Sequence, residues 1–156
     1  MRRFNIANPE LEHTDDPEGF KSAGVKLGPL IGAEHLGASL FELEPGQAIC
    51  PYHYEYGDEE WVLVLRGTPT VRHPEGSEVL DTWDVVCFPR GPEGAHQVRN
   101  ESEDLVRVLM FSSVVYPTVT VYPDSDKIGV YPGNDEDKLM VRRSSGVDYF
   151  DGEASG

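Results

Sequence analysis

Four side chains in this sequence are of types that bind and activate small molecules, and their spacing lets them meet. In the segment PGQAICPYHYEYGDEEWVLVLRG, His53 and Glu55 stand two residues apart, so on one strand both leave from the same face. Glu60 opens the next apolar run, and an antiparallel neighbour across a short turn can bring its carboxylate toward that face. His96 lies far along the chain in PRGPEGAHQVRN, where a further strand would begin after a Gly/Pro-rich loop. Two imidazoles and two carboxylates suit a divalent first-row metal, which takes nitrogen and oxygen donors from several directions and keeps positions open for water or substrate. A two-His, two-Glu shell is nearly neutral around such an ion and leans toward Mn, Fe or Zn. The centre would polarise a bound carbonyl and acidify a bound water. Taken singly, each of the four has a plainer role as a hydrogen-bonded or solvated side chain.

The elements that must position these residues are short. From about residue 38 to 122, segments rich in β-branched and aromatic residues alternate with Gly, Pro and acidic turn signals at spacings of roughly 8 to 12 residues. SLFEL, AICPYHYEY, EEWVLVLRG, TPTVRH, EVLDTW, DVVCFP, AHQVRN, DLVRVLMFSSV and TVTVY read as strands. No helical period runs beyond about two turns, which predicts an all-β sandwich or barrel. In EEWVLVLRG, Glu60, Val62 and Val64 share one face and Trp61, Leu63 and Leu65 the other. Both faces are apolar, so something must cover the outside: the arm 1–37, the tail 123–156, or a second subunit. A homodimer is expected. Arm and tail are rich in Gly, Pro, Asp and Ser, suited to extended segments laid over a surface.

Several other side chains draw structural expectations. Cys87, inside DVVCF, is expected as a small core residue, and Cys50 adjoins the candidate site. Tyr52, Tyr54 and Tyr56 form a stripe opposite His53 and Glu55. A shifted register would turn Tyr52 and Tyr54 inward instead, although the spacing to Glu60 argues against it. His13 and His73 read as surface residues, and His35 as a candidate for the barrel mouth. Strand parity puts Arg99 opposite His96.

The pattern resembles the two motifs of the cupin superfamily, over about residues 38–115. The first motif runs glycine, His-x-His, a glutamate after three or four residues, then six residues to a second glycine. Glu60 follows Glu55 by four intervening residues and precedes Gly67 by six. Gly46 sits one residue too far from His53, and Glu55 holds the second histidine position. The second motif is matched by Pro89, Gly91, His96 and Asn100, with two extra residues before His96 and Trp83 where a glycine belongs. The resemblance implies a double-stranded β-helix, a jelly-roll-like barrel spanning 38–122 with extended arms on either side. It implies His53, Glu60 and His96 as metal ligands, with Glu55 a fourth if a carboxylate can replace imidazole. It also implies a metal-dependent enzyme acting on a small polar metabolite by dioxygenation, isomerisation or decarboxylation. The alternative is a non-catalytic barrel that binds or senses a small ligand.

Composition narrows the partners. The 156 residues fit one domain, and 28 acidic against 13 basic side chains give a formal charge of -15. That charge repels phosphate backbones and anionic lipid alike, so neither nucleic acid nor membrane is expected as a partner. The first residues lack the apolar run of a secretion signal, and no stretch of about 18 apolar residues occurs, so the chain reads as cytoplasmic.

Overall fold

The alternation in the sequence becomes a set of short strands in a computed structural model that describes residues 1–153; residues 154–156, the end of the expected C-terminal extension, lie outside the described residues. The N-terminal arm forms β1 (Glu12–His13), β2 (Ala23–Lys26) and a short helix α1 (Leu27–Ile31). The first half of the barrel comprises β3 (Leu36–Leu43), β4 (Tyr54–Glu55), β5 (Glu60–Arg66), β6 (Thr70–His73) and β7 (Gly76–Val79). It continues with β8 (Val85–Phe88), β9 (Gln97–Arg99), β10 (Val106–Ser113) and β11 (Thr118–Tyr122). The tail, expected as an extended wrap, adds β12 (Lys127–Tyr131) and β13 (Leu139–Arg142).

These strands pair antiparallel in three sheets, ordered β1-β2-β3-β10-β5-β8, β13-β12-β11-β4 and β7-β6-β9. The two smaller sheets are joined through a bridge between His53 and His96, next to β4 and β9. They form one wall of the barrel, and the six-stranded sheet forms the other. Between the walls, Val62, Val64, Val106 and Val108 meet Val71 and Val98 in the main core. Branched side chains from facing sheets interdigitate there, as in other all-β layers.

The second apolar face of β5 also finds its partner. Leu63 and Leu65 pack with Leu40 and Leu109 beneath Phe4, Ile6, Leu11 and Leu27 of the arm. The arm stops short of the sheet's far corner, where Leu36, Trp61, Val85 and Phe111 are exposed. On the other wall Tyr52 and Tyr54 pack with Val121 and Ile128 of the tail hairpin, outside the barrel interior.

Three local expectations are corrected. The run AICPYHYEY is not one strand: only Tyr54–Glu55 is, with isolated bridges at Ala48 and His53, because Pro51 has no N–H to donate to a ladder. EVLDTW is a strand only in its first two residues; β7 ends at Val79 and the chain turns through Trp83. Cys87 is exposed rather than a core residue. It stands directly opposite Trp61, on the outer face. An apolar run hides its own alternation, and in DVVCF the inward residues are Val86 and Phe88.

Two backbone positions bear on the motif residues. Gly67 has φ 76°, and a Cβ there would sit 2.8 Å from the Leu105 carbonyl oxygen, so only glycine fits the turn. Trp83, standing where the motif has glycine, takes the same left-handed conformation with φ 79° while its side chain is exposed.

Candidate metal centre

The two histidines converge because they are cross-strand neighbours. His53 N–H donates to the His96 carbonyl at 3.1 Å, and His96 N–H donates to the His53 carbonyl at 2.8 Å. Residues paired in this way project side by side from the same face of a sheet, and the two ring centroids lie 4.7 Å apart. Glu60 comes from the opposite wall, at the first position of β5. Its carboxylate crosses the interior to meet them, rather than arriving from a strand beside His53. One donor atom from each of His53, Glu60 and His96 lies within 4.8 Å of the other two.

Hydrogen bonds fix how the rings face this group. His96 Nδ1 lies 2.9 Å from the Gly94 carbonyl and His53 Nδ1 lies 3.0 Å from the Pro51 carbonyl. A carbonyl only accepts, so both Nδ1 atoms carry the proton, and in a neutral ring each Nε2 presents a lone pair. Both Nε2 atoms point at one oxygen, Glu60 Oε2, at 3.5 Å from His53 and 3.3 Å from His96. That oxygen is buried and has no hydrogen-bond partner among the described residues. Lone pairs converging on a buried carboxylate repel one another unless a positive charge lies among them.

A proton or a metal ion can supply that charge. Two donors each about 2.1 Å from a common divalent ion lie roughly 3 to 3.4 Å apart, close to the two imidazole–carboxylate separations of 3.5 and 3.3 Å. The donor set therefore fits a metal. Without one, the same geometry draws in a proton. Burial acts to lower the His53 pKa, but neighbouring Cys50 and Glu60 outweigh it and raise it to about 11. Burial acts to raise the Glu60 pKa, but the two histidines outweigh that and hold it at about 2.

Glu55 lies outside the converging group. It is the cross-strand neighbour of Thr120, whose hydroxyl donates to Glu55 Oε1 at 2.9 Å. Burial, and then the charge of Glu60, push its pKa up to about 7. Cys50 Sγ sits 3.5 Å from His53 Nδ1, behind the ring and away from the nitrogen that faces Glu60. Rings enclose the histidines: Phe88 stacks on His96 at 3.7 Å between centroids and Tyr122 on His53 at 5.9 Å. Neither aromatic is marked by a sequence motif, although the alternation of β8 already places Phe88 inward.

The remaining motif residues do structural work. Gly91, with φ 83°, donates its N–H to the Glu55 carbonyl at 2.7 Å. Asn100, fully buried, donates to the carbonyls of Leu43 and Asp104 and accepts from the Ser102 N–H and hydroxyl. His13 and His35 are exposed, and the partly exposed His73 faces Glu78. Arg99 turns to Glu101, away from the site.

A cavity of about 150 Å³ opens onto the three converging residues, walled by Phe41, Ile49, Val98 and Met110. A larger cavity of about 490 Å³ lies on the other side of Phe88 and contains none of the three in its lining. The converging side chains line only the smaller of these two.

Barrel topology and site geometry are those of one class of protein, and comparison with known families agrees. Residues 39–112 match the Cupin_2 family, described as a cupin domain. The chain thus carries a cupin-domain match over those residues, and its structural neighbours lie in the cupin superfamily. A candidate sugar phosphate isomerase from Acidithiobacillus ferrooxidans superposes with a TM-score of 0.81 at 25% identity, over 92% of this chain and 91% of its own. A cupin-superfamily sugar phosphate isomerase from Silicibacter pomeroyi superposes with a TM-score of 0.79 at 20% identity, over 96% and 98% of the two chains. At such coverage the likeness of fold extends into both arms. A polyketide cyclase from Streptomyces resistomycificus matches with a TM-score of 0.60 at 22% identity, over 72% of this chain and 79% of its own. No curated protein matches the sequence. Among the described residues, no helix is long and apolar enough to cross a membrane.

Proposed function

We propose that this protein is a metal-dependent enzyme that holds one divalent ion, of the Mn, Fe or Zn type, on His53, Glu60 and His96 and isomerises a small polar carbonyl metabolite. The observation that carries the metal is Glu60 Oε2, buried without a donor and faced by two imidazole nitrogens. Support for isomerisation comes from the likeness to the candidate isomerase at 25% identity, which covers arms and barrel alike. When bound, such an ion polarises a carbonyl and stabilises the charge that develops on its oxygen. The protein's own groups do the rest. The carbonyls of Pro51 and Gly94 hold both rings with Nε2 free. Isomerisation needs a base that takes a proton from one carbon and returns it to the next. Glu55, held by Thr120 outside the cavity lining and with a pKa of about 7, would take that role by swinging from Thr120 toward the cavity. It serves as a fourth ligand only if it leaves Thr120.

We also infer a cytoplasmic homodimer joined through the exposed corner of Leu36, Trp61, Val85 and Phe111; a monomer in sedimentation at micromolar concentration would overturn that assembly. The test of function is elemental analysis followed by turnover assays. About one ion per chain is expected, lost in His53→Ala and His96→Ala, with interconversion of carbonyl isomers by metal-loaded protein. Metal-free protein from a metal-replete preparation would refute the centre. Tight small-molecule binding without turnover of any substrate would instead make the barrel a sensor.

A further inference from the structure

The cavity at the metal centre restricts what can reach it. Its volume of about 150 Å³ is below the ~300 Å³ at which pockets for drug-sized ligands begin. Its size is that of a protein cavity that holds one benzene molecule, which limits the apolar part of a ligand there to about six heavy atoms. Facing the converging donors are Phe41, Ile49, Val98 and Met110, while the hydroxyls of Ser39 and Ser112 are the other oxygen groups among the lining side chains. Among the described residues, no Lys or Arg belongs to that lining. Of the basic side chains on the surrounding strands, Arg99 pairs with Glu101 and Arg107 with Glu42, while Arg66 lies at the end of β5 opposite to Glu60.

A phosphate dianion is recognised by Arg, Lys or an array of backbone N–H groups, because its charge and acceptor oxygens must be met as water is removed. Here it would enter a chain of formal charge -15 and meet apolar walls. Resting on the metal reading above, we infer that the substrate is a short, phosphate-free carbonyl compound. Its oxygen-donor head, a carbonyl beside a hydroxyl or carboxylate, turns to the metal centre and the two serines. Its aliphatic body, about four heavy atoms, lies against Phe41, Ile49, Val98 and Met110. The inferred substrate differs from the sugar phosphates named for the two structural relatives, whose fold this chain shares.

The test uses full-length protein loaded with Co(II), whose visible bands report on ligands entering the centre. Titration with 2-oxoisovalerate, pyruvate and glyceraldehyde 3-phosphate separates the possibilities. The expected order is 2-oxoisovalerate tightest, about tenfold tighter than pyruvate from its two added methyl groups, with glyceraldehyde 3-phosphate weakest. Ser39→Arg is expected to reverse the preference toward the phosphate. Should that variant misfold, Met110→Ala serves, with an expected gain for the longer 2-oxo-4-methylpentanoate. Glyceraldehyde 3-phosphate binding to the unaltered protein as tightly as 2-oxoisovalerate would overturn the inference and leave the metal centre standing. Failure to take up Co(II) would instead overturn the metal reading itself.

Discussion

Replacing Glu60 by Gln removes one negative charge while keeping the side chain's shape, and its effect follows from the geometry of the centre. In metal-free protein the Glu60 carboxylate and the His53 imidazolium stabilise each other. The Glu60 pKa falls from 4.5 to about 2 and that of His53 rises from 6.5 to about 11. The two displacements overlap only in part, since Cys50 comes first among the causes of the rise at His53 and His96 shares in the fall at Glu60, and they are not summed. The smaller displacement, Glu60's, corresponds to about 3 kcal/mol at about 1.4 kcal/mol per pH unit. A Gln amide can donate one hydrogen bond to an imidazole, returning about 1 kcal/mol, so the expected net loss is about 2 kcal/mol. The signs set the pH window. The Glu60 contribution is present above pH 4.5 and lost as pH falls through about 2, whereas the His53 contribution is present below pH 6.5 and lost as pH rises through about 11. Both are whole between pH 4.5 and 6.5. Urea unfolding of chelator-treated protein at pH 6 is therefore the assay, with the difference between the two proteins shrinking above pH 6.5. Added metal should stabilise the original by about 2.7 kcal/mol at a hundredfold excess over its Kd, and Glu60→Gln far less. Equal stability at pH 6 together with an equal response to metal would refute the reasoning.

Three further outcomes are expected. Thr120→Val removes the donor that partly offsets burial at Glu55, so the Glu55 pKa should climb above about 7 in metal-free protein; a carboxyl NMR titration unmoved by the substitution would contradict this. Trp83→Gly relieves a left-handed backbone position that costs an ordinary residue about 1 to 2 kcal/mol, against an added unfolded-state entropy of about 0.5 to 1 kcal/mol. A net gain of about 0.5 kcal/mol should appear in denaturant midpoints, and a loss would mean that the indole contributes packing. Asn100→Ala strands the buried Leu43 carbonyl and leaves that of exposed Asp104 to Ser102, and should cost about 2 kcal/mol in the same measurement; a cost below 1 kcal/mol would show that solvent reaches the Leu43 carbonyl.

The barrel was legible because its inner residues alternate. Val62 and Val64 face inward and Trp61 outward, as the period of two requires. The arm's cover over Leu63 and Leu65 was visible only as a requirement, since an apolar second face does not name its partner. The same ambiguity concealed that Cys87 points outward. At the centre, the spacing of motif residues identified the three side chains that converge. It did not give the pairing that brings them together: His53 lies opposite His96, a relation between residues 43 apart in sequence. Nor could the His-x-Glu spacing reveal that Thr120 engages Glu55, because same-face geometry says where a side chain starts and not which partner it finds. Strands β12 and β13 went unread because Gly, Pro and Asp dominate the tail, and pairing with β11 supplies the order that their composition does not.

The division of the three donors between two walls has a mechanical consequence. His53 and His96 are fastened to each other by reciprocal peptide hydrogen bonds, while Glu60 hangs from the facing sheet. An ion shared by all three would act as a rivet through the sandwich, resisting any sliding or parting of the layers. Loading should therefore slow amide exchange along β5 and β9 together, and anything that prises the walls apart should loosen the ion before it melts the barrel.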